Sequence, residues 1–313
     1  MKCDITVAIC TYNGESRLPA VLQCLTRQVV PDTLVWEVLI VDNNSSDQTR
    51  QVYEVWRGCW GLTLRYVFEG QQGLAYARQR AVEQAHGELV AFIDDDNFPD
   101  PDWLKVAIQF ARDRPAAGAF GGQTRPLLAK TPPPGFEAIA PFLAIVERGT
   151  LPFCYERSRG LLPPGAGLVV RRHAWLDCVP RRLLLTGRVN QWQLASEDLE
   201  AIVYLQNGGW EIWHNPEMKL MHQIPAYRLE RDYLLAIALG TGLARYQIRR
   251  LRLRPWQEPF FCGLYFGNDL RQVIWHYLTH YHQLQTDIAA ACKMVFLLGS
   301  LGSPWVIWRK SRQ

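Results

Sequence analysis

Residues 73–97, "GLAYARQRAVEQAHGELVAFIDDDN", decide how this chain folds. The first part reads as a helix closed by Gly87 in the C-terminal capping position. "ELVAFID" then reads as a short strand buried on both faces. That strand runs straight into Asp94, Asp95 and Asp96. Adjacent carboxylates repel one another, so stability alone would not place three of them at the end of a buried segment. They call for positive charge, and its source has to lie at the ends of neighbouring segments.

Working outward, the same rhythm recurs. "DITVAIC" and "VWEVLIVD" are β-branched apolar runs of the kind found in parallel sheets. Between them Leu18, Val21, Leu22 and Leu25 form one helical stripe. Ser45 with Gln48 three residues on predicts a capping box ahead of Val52, Val55 and Trp56. "LTLRYVFE" is a third strand. Asp100 followed by Pro101 predicts an N-cap and first-turn proline for "DWLKVAIQFAR". Alternating strands and helices imply an α/β fold, a mostly parallel, Rossmann-like sheet flanked by helices. Beyond about residue 110 the sequence turns irregular, with "KTPPPGF" as an extended loop. "GAGLVVRR" and "WEIWHN" read as further strands, and "SEDLEAIVYLQNGG" as a helix stopped by Gly208-Gly209. After about residue 225 the chain is helical, aromatic and basic.

The bulk numbers bound the function. The 313 residues are 48% hydrophobic and 20% charged, an ordered globular composition. A net charge of +4 gives no general case for nucleic acid. None of the eight cysteines forms a C-x-x-C pair, which speaks against a zinc ribbon and for reduced thiols in the cytoplasm. The N-terminal stretch carries no cleavage pattern and reads as a strand. There is no internal repeat.

Ligands of open α/β sheets bind outside the carboxyl ends of the strands. Those ends are Thr11-Tyr12-Asn13, Asp42-Asn43 and Asp94-Asp95-Asp96. Polar turn formers are ordinary at strand ends, and Asn43-Asn44-Ser45 alone would mean little. A carboxylate, an aromatic and an acidic triplet converging on one rim mean more. Neither G-x-G-x-x-G nor a Walker motif is present, so no glycine loop cradles phosphate. The hard carboxylates suit Mg²⁺ or Mn²⁺ carrying a diphosphate. Tyr12 can stack on a flat base, and Asp42 can accept the imide N–H of uracil. Gly165 and Gly167 in "PPGAGLVV" either let a backbone approach a sugar closely or simply form a turn.

"VAICTYNG", "VLIVDNNSSDQT", "GLAYARQRAVEQAHGELVAFIDDDN" and "SEDLEAIVYLQNGGW", in this order and spacing, resemble the family 2 glycosyltransferases of GT-A fold over roughly residues 4–222. The resemblance implies a nucleotide-sugar donor, a divalent cation and inverting single displacement. It assigns Thr11, Tyr12 and Asp42 to the nucleoside, Arg78 to the donor, and Asp95 and Asp96 to donor and metal. Asp198 matches the catalytic base and His222 a histidine that closes over phosphate or metal. Glu197 orients the acceptor or the helix. The family often has Arg-Asn where this chain has Arg78-Gln79, and Asp94 is an additional acid. The lack of a Q-x-x-R-W motif and of a membrane-span bundle argues for one sugar per event.

The expected layout is a catalytic domain over 1–224, its nucleotide-sugar-binding half 1–122 and acceptor half 123–224, then a helical extension over 225–313. Arg245, Arg249, Arg250, Arg252 and Arg254 are either a membrane-surface stripe or a solvated face. Residues 289–308 carry Lys293, Ser300, Ser303 and Pro304, so they read as docking at an interface or packing rather than spanning. The expected protein faces the cytoplasm, peripheral to the membrane. It moves one sugar from a UDP-linked donor to a glycan or lipid-linked acceptor of cell-surface polysaccharide. A two-carboxylate glycoside hydrolase and an inactive sugar- or nucleotide-binding protein are the rivals.

Overall fold

The computed structural model describes residues 3–61, 63–157, 160–187 and 194–312. Strands β1 (Cys3–Thr11) and β2 (Trp36–Asp42) are buried along almost their whole length, as apolar runs without alternation require. They pair in parallel with Thr11 opposite Asp42. Strand β3 (Thr63–Phe68) extends the parallel set beyond β2, and β4 (Gly87–Asp94) adds on the other side of β1, with Asp94 beside Cys10. The order β3-β2-β1-β4 makes β1/β4 the point where the winding direction reverses. The carboxyl ends of three strands therefore meet there.

Helices α1 (Leu18–Leu25), α2 (Thr49–Cys59), α3 (Leu74–Gln84) and α4 (Trp103–Asp113) cover this parallel set. Ile5, Val7 and Ile9 of β1 pack with Leu18, Val21, Leu22 and Leu25 of α1 and with Trp103 and Leu104 of α4. Burying a leucine such as Leu22 stabilises by about 1.5–3 kcal/mol. The other face of β1 carries small side chains, Thr6, Ala8 and Cys10, and it meets α3, whose Ala77 and Ala81 are fully buried. Small against small lets that helix lie close.

The sheet then changes character. Among the described residues it has nine strands, and the later pairs are antiparallel wherever their direction is given. A short β5 (Asn97–Pro99) is followed by β6 (Ala117–Leu128), β7 (Phe153–Cys154), β8 (Val169–Arg171) and β9 (Glu211–Ile224). Beyond β4 the order is β8-β6-β9-β5, with β7 also on β9. Helix α5 (Phe136–Ile139) and helix α6 (Arg172–Cys178) are short, and α7 (Glu197–Asn207) follows them.

Three local expectations are corrected. Gly87 does not cap α3. It opens β4, where a Cβ would press into the backbone of Ile5 and Thr6 of the adjoining strand. Ser45 and Gln48 form no capping box. Helix α2 begins at Thr49, and the Ser45 hydroxyl instead accepts the Asn13 N–H at 2.9 Å. Helix α4 begins at Trp103, whose N–H donates to the Asp100 carbonyl at 3.0 Å, so Asp100 and Pro101 belong to the turn before it.

The chain divides into two compact units, Met1–Leu127 with Ala144–Arg182 and Tyr204–Gln223, and Leu128–Leu143 with Leu183–Val203 and Ile224–Gln313. The second contains α8 (Arg231–Arg250), α9 (Glu258–His280) and α10 (Ile288–Lys310). Asp287 caps α10 by accepting the N–H groups of Ala289 and Ala290 at 2.8 and 3.4 Å. Helices α8 and α10 approach at glycines: a Cβ on Gly299 would lie 2.8 Å from the Leu239 carbonyl oxygen, and one on Gly242 would strike the Phe296 carbonyl.

Candidate functional site

Register alone brings Thr11, Asp42 and Asp94 side by side at the carboxyl ends of β1, β2 and β4. Asp95 and Asp96 form the turn between β4 and β5. The three carboxylates do not share one partner, because each faces a different basic side chain. Asp94 Oδ1 lies 3.6 Å from Arg78 Nη2. Both oxygens of Asp95 accept from Arg17, Nε at 3.0 Å and Nη2 at 2.8 Å, and the Thr11 hydroxyl donates to Asp95 at 2.5 Å. Asp96 Oδ2 sits 3.4 Å from His222 Nε2. That last pair exists because β5 lies antiparallel to β9 with Asn97 opposite His222.

Burial pushes the Asp94 carboxyl above its ordinary pKa; Arg78 opposes the shift, and the neighbouring Asp96 and Asp95 charges add to it. Arg78 is itself buried, its guanidinium carbon 5.6 Å from the centre of the Phe92 ring. Gly165 lies against it, so a Cβ there would come within 2.5 Å of Arg78 Nη2. Gly167 has φ +69°, and its N–H donates to the Phe92 carbonyl at 3.0 Å. Both glycines thus have an evident local reason, one a close approach and the other a left-handed turn.

The β1/β2 side of the rim is built from cross-tied loops. Asn13 adopts φ +49°, and its Oδ1 accepts the Ser46 N–H at 2.9 Å. The Gly14 N–H donates to the Thr49 hydroxyl at 2.8 Å. Asp42 accepts the Ser45 N–H at 2.9 Å and the Tyr66 hydroxyl at 2.6 Å. Each of its oxygens keeps further acceptor capacity. Asn43 ties down the approach to α3 by accepting the Gly73 N–H at 2.7 Å and donating to the Gln71 carbonyl at 2.8 Å. Tyr12 stands out from the rim, 45% exposed.

Glu197 and Asp198 lie in the second unit, at the first turn of α7. Glu197 is buried and Asp198 half-buried. Ser196, immediately before them, takes φ +79°, a left-handed conformation that a non-glycine residue adopts at a cost. Glu200, one turn further on, is buried and accepts the Leu184 and Leu185 N–H groups at 3.3 and 2.7 Å and the Gln247 amide at 2.7 Å. Burial raises its pKa, with those hydrogen bonds opposing.

Arg17, Tyr66 and Glu200 escaped the sequence reading. Arg17 carried a signal: a cation just before a helix opposes the macrodipole and asks for a reason. Tyr66 and Glu200 carried none, since a strand tyrosine and a helical glutamate are ordinary. Arg245 and Arg249 were expected on an outward basic face. They turn inward instead, toward Asp269 of α9 at 3.5 and 2.6 Å. His276 hydrogen-bonds the Ala290 carbonyl at 2.9 Å and stacks on His280. Among the described residues no group of three His, Cys, Asp or Glu side chains is arranged to hold a metal.

The sequence model of glycosyl transferase family 2 matches residues 6–144. The poly(ribitol-phosphate) beta-N-acetylglucosaminyltransferase TarS of Staphylococcus aureus is 35% identical over 105 residues, 34% of this chain but only 18% of that enzyme's length. Its residues 1–349, solved with UDP, superpose with a TM-score of 0.51 at 16% identity, covering 97% of this chain and 92% of that one. The glucosyl-dolichyl phosphate glucuronosyltransferase of Haloferax volcanii is 24% identical over 77% of this chain and 76% of its own. A Pyrobaculum calidifontis mannosyltransferase solved with GDP-Man and Mn²⁺ reaches a TM-score of 0.61 at 18% identity, covering 98% of this chain and 88% of its own. The fold is therefore GT-A, and residues 6–144 match the model of glycosyl transferase family 2.

Proposed function

We propose that this protein transfers one sugar, with inversion, from a UDP-linked donor to a hydroxyl of a glycan or lipid-linked acceptor in polysaccharide biosynthesis. The observation that carries the reading is the meeting of Thr11, Asp42 and the Asp94–Asp96 triplet at the β1/β4 switch point. Relatives solved with UDP and with GDP-Man support a nucleotide-sugar donor. The choice of uracil rests on Asp42 as an acceptor for the imide N–H, with Tyr12 stacking on the ring.

The donor set fits a divalent cation. Asp96 and His222, whose carboxylate oxygen and imidazole nitrogen lie 3.4 Å apart, are the residues that would hold a Mn²⁺ or Mg²⁺ ion. The ion supplies Lewis-acid stabilisation of the leaving diphosphate. Arg78 balances the donor's negative charge. Asp95, held rigid by Arg17 and Thr11, presents a fixed carboxylate toward the ribose side. Asp198 takes the proton of the acceptor hydroxyl as its oxygen attacks the anomeric carbon, and Glu197 orients that acceptor.

The test is a calorimetric panel of nucleotide diphosphates with Mn²⁺, on wild type and Asp96→Asn. UDP should bind best to the wild type, and the variant should lose Mn²⁺-dependent binding while keeping its unfolding curve. Equal binding of GDP and ADP would overturn the uracil assignment, and unchanged affinity in the variant would remove Asp96 from the site.

A further inference from the structure

Helix α9 is built inside out. Its only buried residue is charged: Asp269, 2% exposed, accepts from Arg249 at 2.6 and 3.0 Å and from the Ser300 hydroxyl at 2.7 Å. At 100° per residue, Phe260, Leu264, Leu270, Ile274, Trp275 and Leu278 fall on the side away from Asp269. All six are exposed, Trp275 to 69% and Leu278 to 68%. An ordinary surface helix has the opposite arrangement, with its apolar stripe inward. Trp256, Trp305 and Trp308 of the same unit are exposed as well.

Helix α10 differs. It is long and apolar enough by length and composition to cross a bilayer, but 56% of its most apolar window is buried inside the protein, and it packs on α8. More than half of its apolar window is already covered, whereas the outer face of α9 is not.

Charge identifies what covers α9. Residues 245–312 hold ten Lys and Arg against three acids, in a chain whose net charge is only +4. Arg254, Arg271, Lys293, Arg309 and Arg312 are exposed, while Glu258, Asp269 and Asp287 are all at least partly buried. A second copy of this chain would bring those cations against their own kind. An apolar helix face bearing tryptophan, in a segment rich in exposed cations, matches an anionic bilayer surface, where the aromatics sit at headgroup level. We propose that the outer face of α9 docks in the plane of an anionic lipid surface, with Phe260, Leu264, Ile274, Trp275 and Leu278 entering the acyl boundary and the exposed arginines and lysines meeting lipid phosphates. This places the docking surface on α9 rather than on the arginine run before it, and it stands independently of the sugar donor.

The experiment is co-sedimentation of the full chain with vesicles of phosphatidylcholine alone or mixed with phosphatidylglycerol, at low and high salt. The wild type should pellet with the mixed vesicles, weakly with the neutral ones, and less as salt rises. The double variant Ile274→Glu, Leu278→Glu should lose at least about tenfold in partitioning with an unchanged unfolding curve, because both side chains are exposed. Arg271→Glu should weaken binding to the mixed vesicles more than to the neutral ones. Absence of vesicle binding, or full binding by the double variant, would overturn the proposal. So would sedimentation velocity showing a dimer that the same double variant dissolves, since the face would then be a self-association surface.

Discussion

Arg17 holds Asp95 by both carboxylate oxygens, while its Nη2 also donates to the Tyr12 carbonyl at 3.1 Å. One side chain thus fixes an acid of the triplet and the loop that carries the exposed tyrosine. Arg17→Ala should weaken donor binding by about tenfold, a little over 1 kcal/mol, and Arg17→Lys should recover only part of it because a single ammonium cannot reproduce the fork. Titration of UDP into both variants checks the order.

Gly165→Ala puts a methyl group where the Arg78 guanidinium lies. Arg78 has to leave Asp94, whose carboxyl burial already pushes upward. Donor affinity should fall by about an order of magnitude. Because Arg78 was opposing that upward shift, the acid limb of the binding profile should also move to higher pH. A profile that keeps its wild-type limb would show that Arg78 does not act through Asp94.

Asp198→Asn removes a proton acceptor while keeping its size. Turnover with acceptor should drop by about 10²–10⁴-fold, the usual worth of general-base catalysis, with donor affinity unchanged. Glu197→Gln should cost less. Steady-state kinetics with a competent acceptor separates the two, and a near-normal rate for Asp198→Asn would move the base elsewhere.

Asp269→Ala strands Arg245 and Arg249 without their carboxylate. Breaking a buried pair of this kind costs about 3–5 kcal/mol, read as a lower midpoint in urea. Burial by itself would raise the Asp269 pKa, but hydrogen bonds from Arg249 and Ser300 and the charge of both arginines outweigh it and hold the pKa below the ordinary value. A depressed carboxylate contributes stability that is complete above its unfolded pKa of about 3.9 and is lost as the pH falls through the lower folded value. The wild type should therefore lose stability in that acid window, and Asp269→Asn should flatten the limb.

The parallel half of the fold was legible because its signal is local: apolar runs of six to nine residues alternate with leucine stripes. The edge was not. Strand β6 reads as loop because it carries Gly118, Gly121, Gly122 and Pro126, yet Gly118 and Gly122 are where the Trp210 side chain and the Met218 backbone come closest. Propensity scores such glycines as breakers, when the partner strand requires them. In the site, Thr11, Asp42 and the acidic triplet announced themselves by position at strand ends. Arg17 did not, since it reaches Asp95 only through tertiary pairing, and His222 was marked only by the family resemblance. The inward turn of Arg245 and Arg249 depended on Asp269, some twenty residues away in sequence but opposite in charge.

The hydrogen bonds at Asn13 and Gly14 also bear on how the protein ages. An asparagine followed by glycine is the dipeptide most prone to lose its amide, because the glycine nitrogen attacks the side-chain carbonyl to close a succinimide. Here that nitrogen is tied to the Thr49 hydroxyl and the carbonyl oxygen to the Ser46 N–H. The reaction requires the glycine nitrogen to let go of Thr49, so spontaneous deamidation can proceed only as fast as the rim loops open. The appearance of aspartate or isoaspartate at position 13 during storage thus becomes a clock for those openings, and a bound nucleotide that holds the loops shut should slow it.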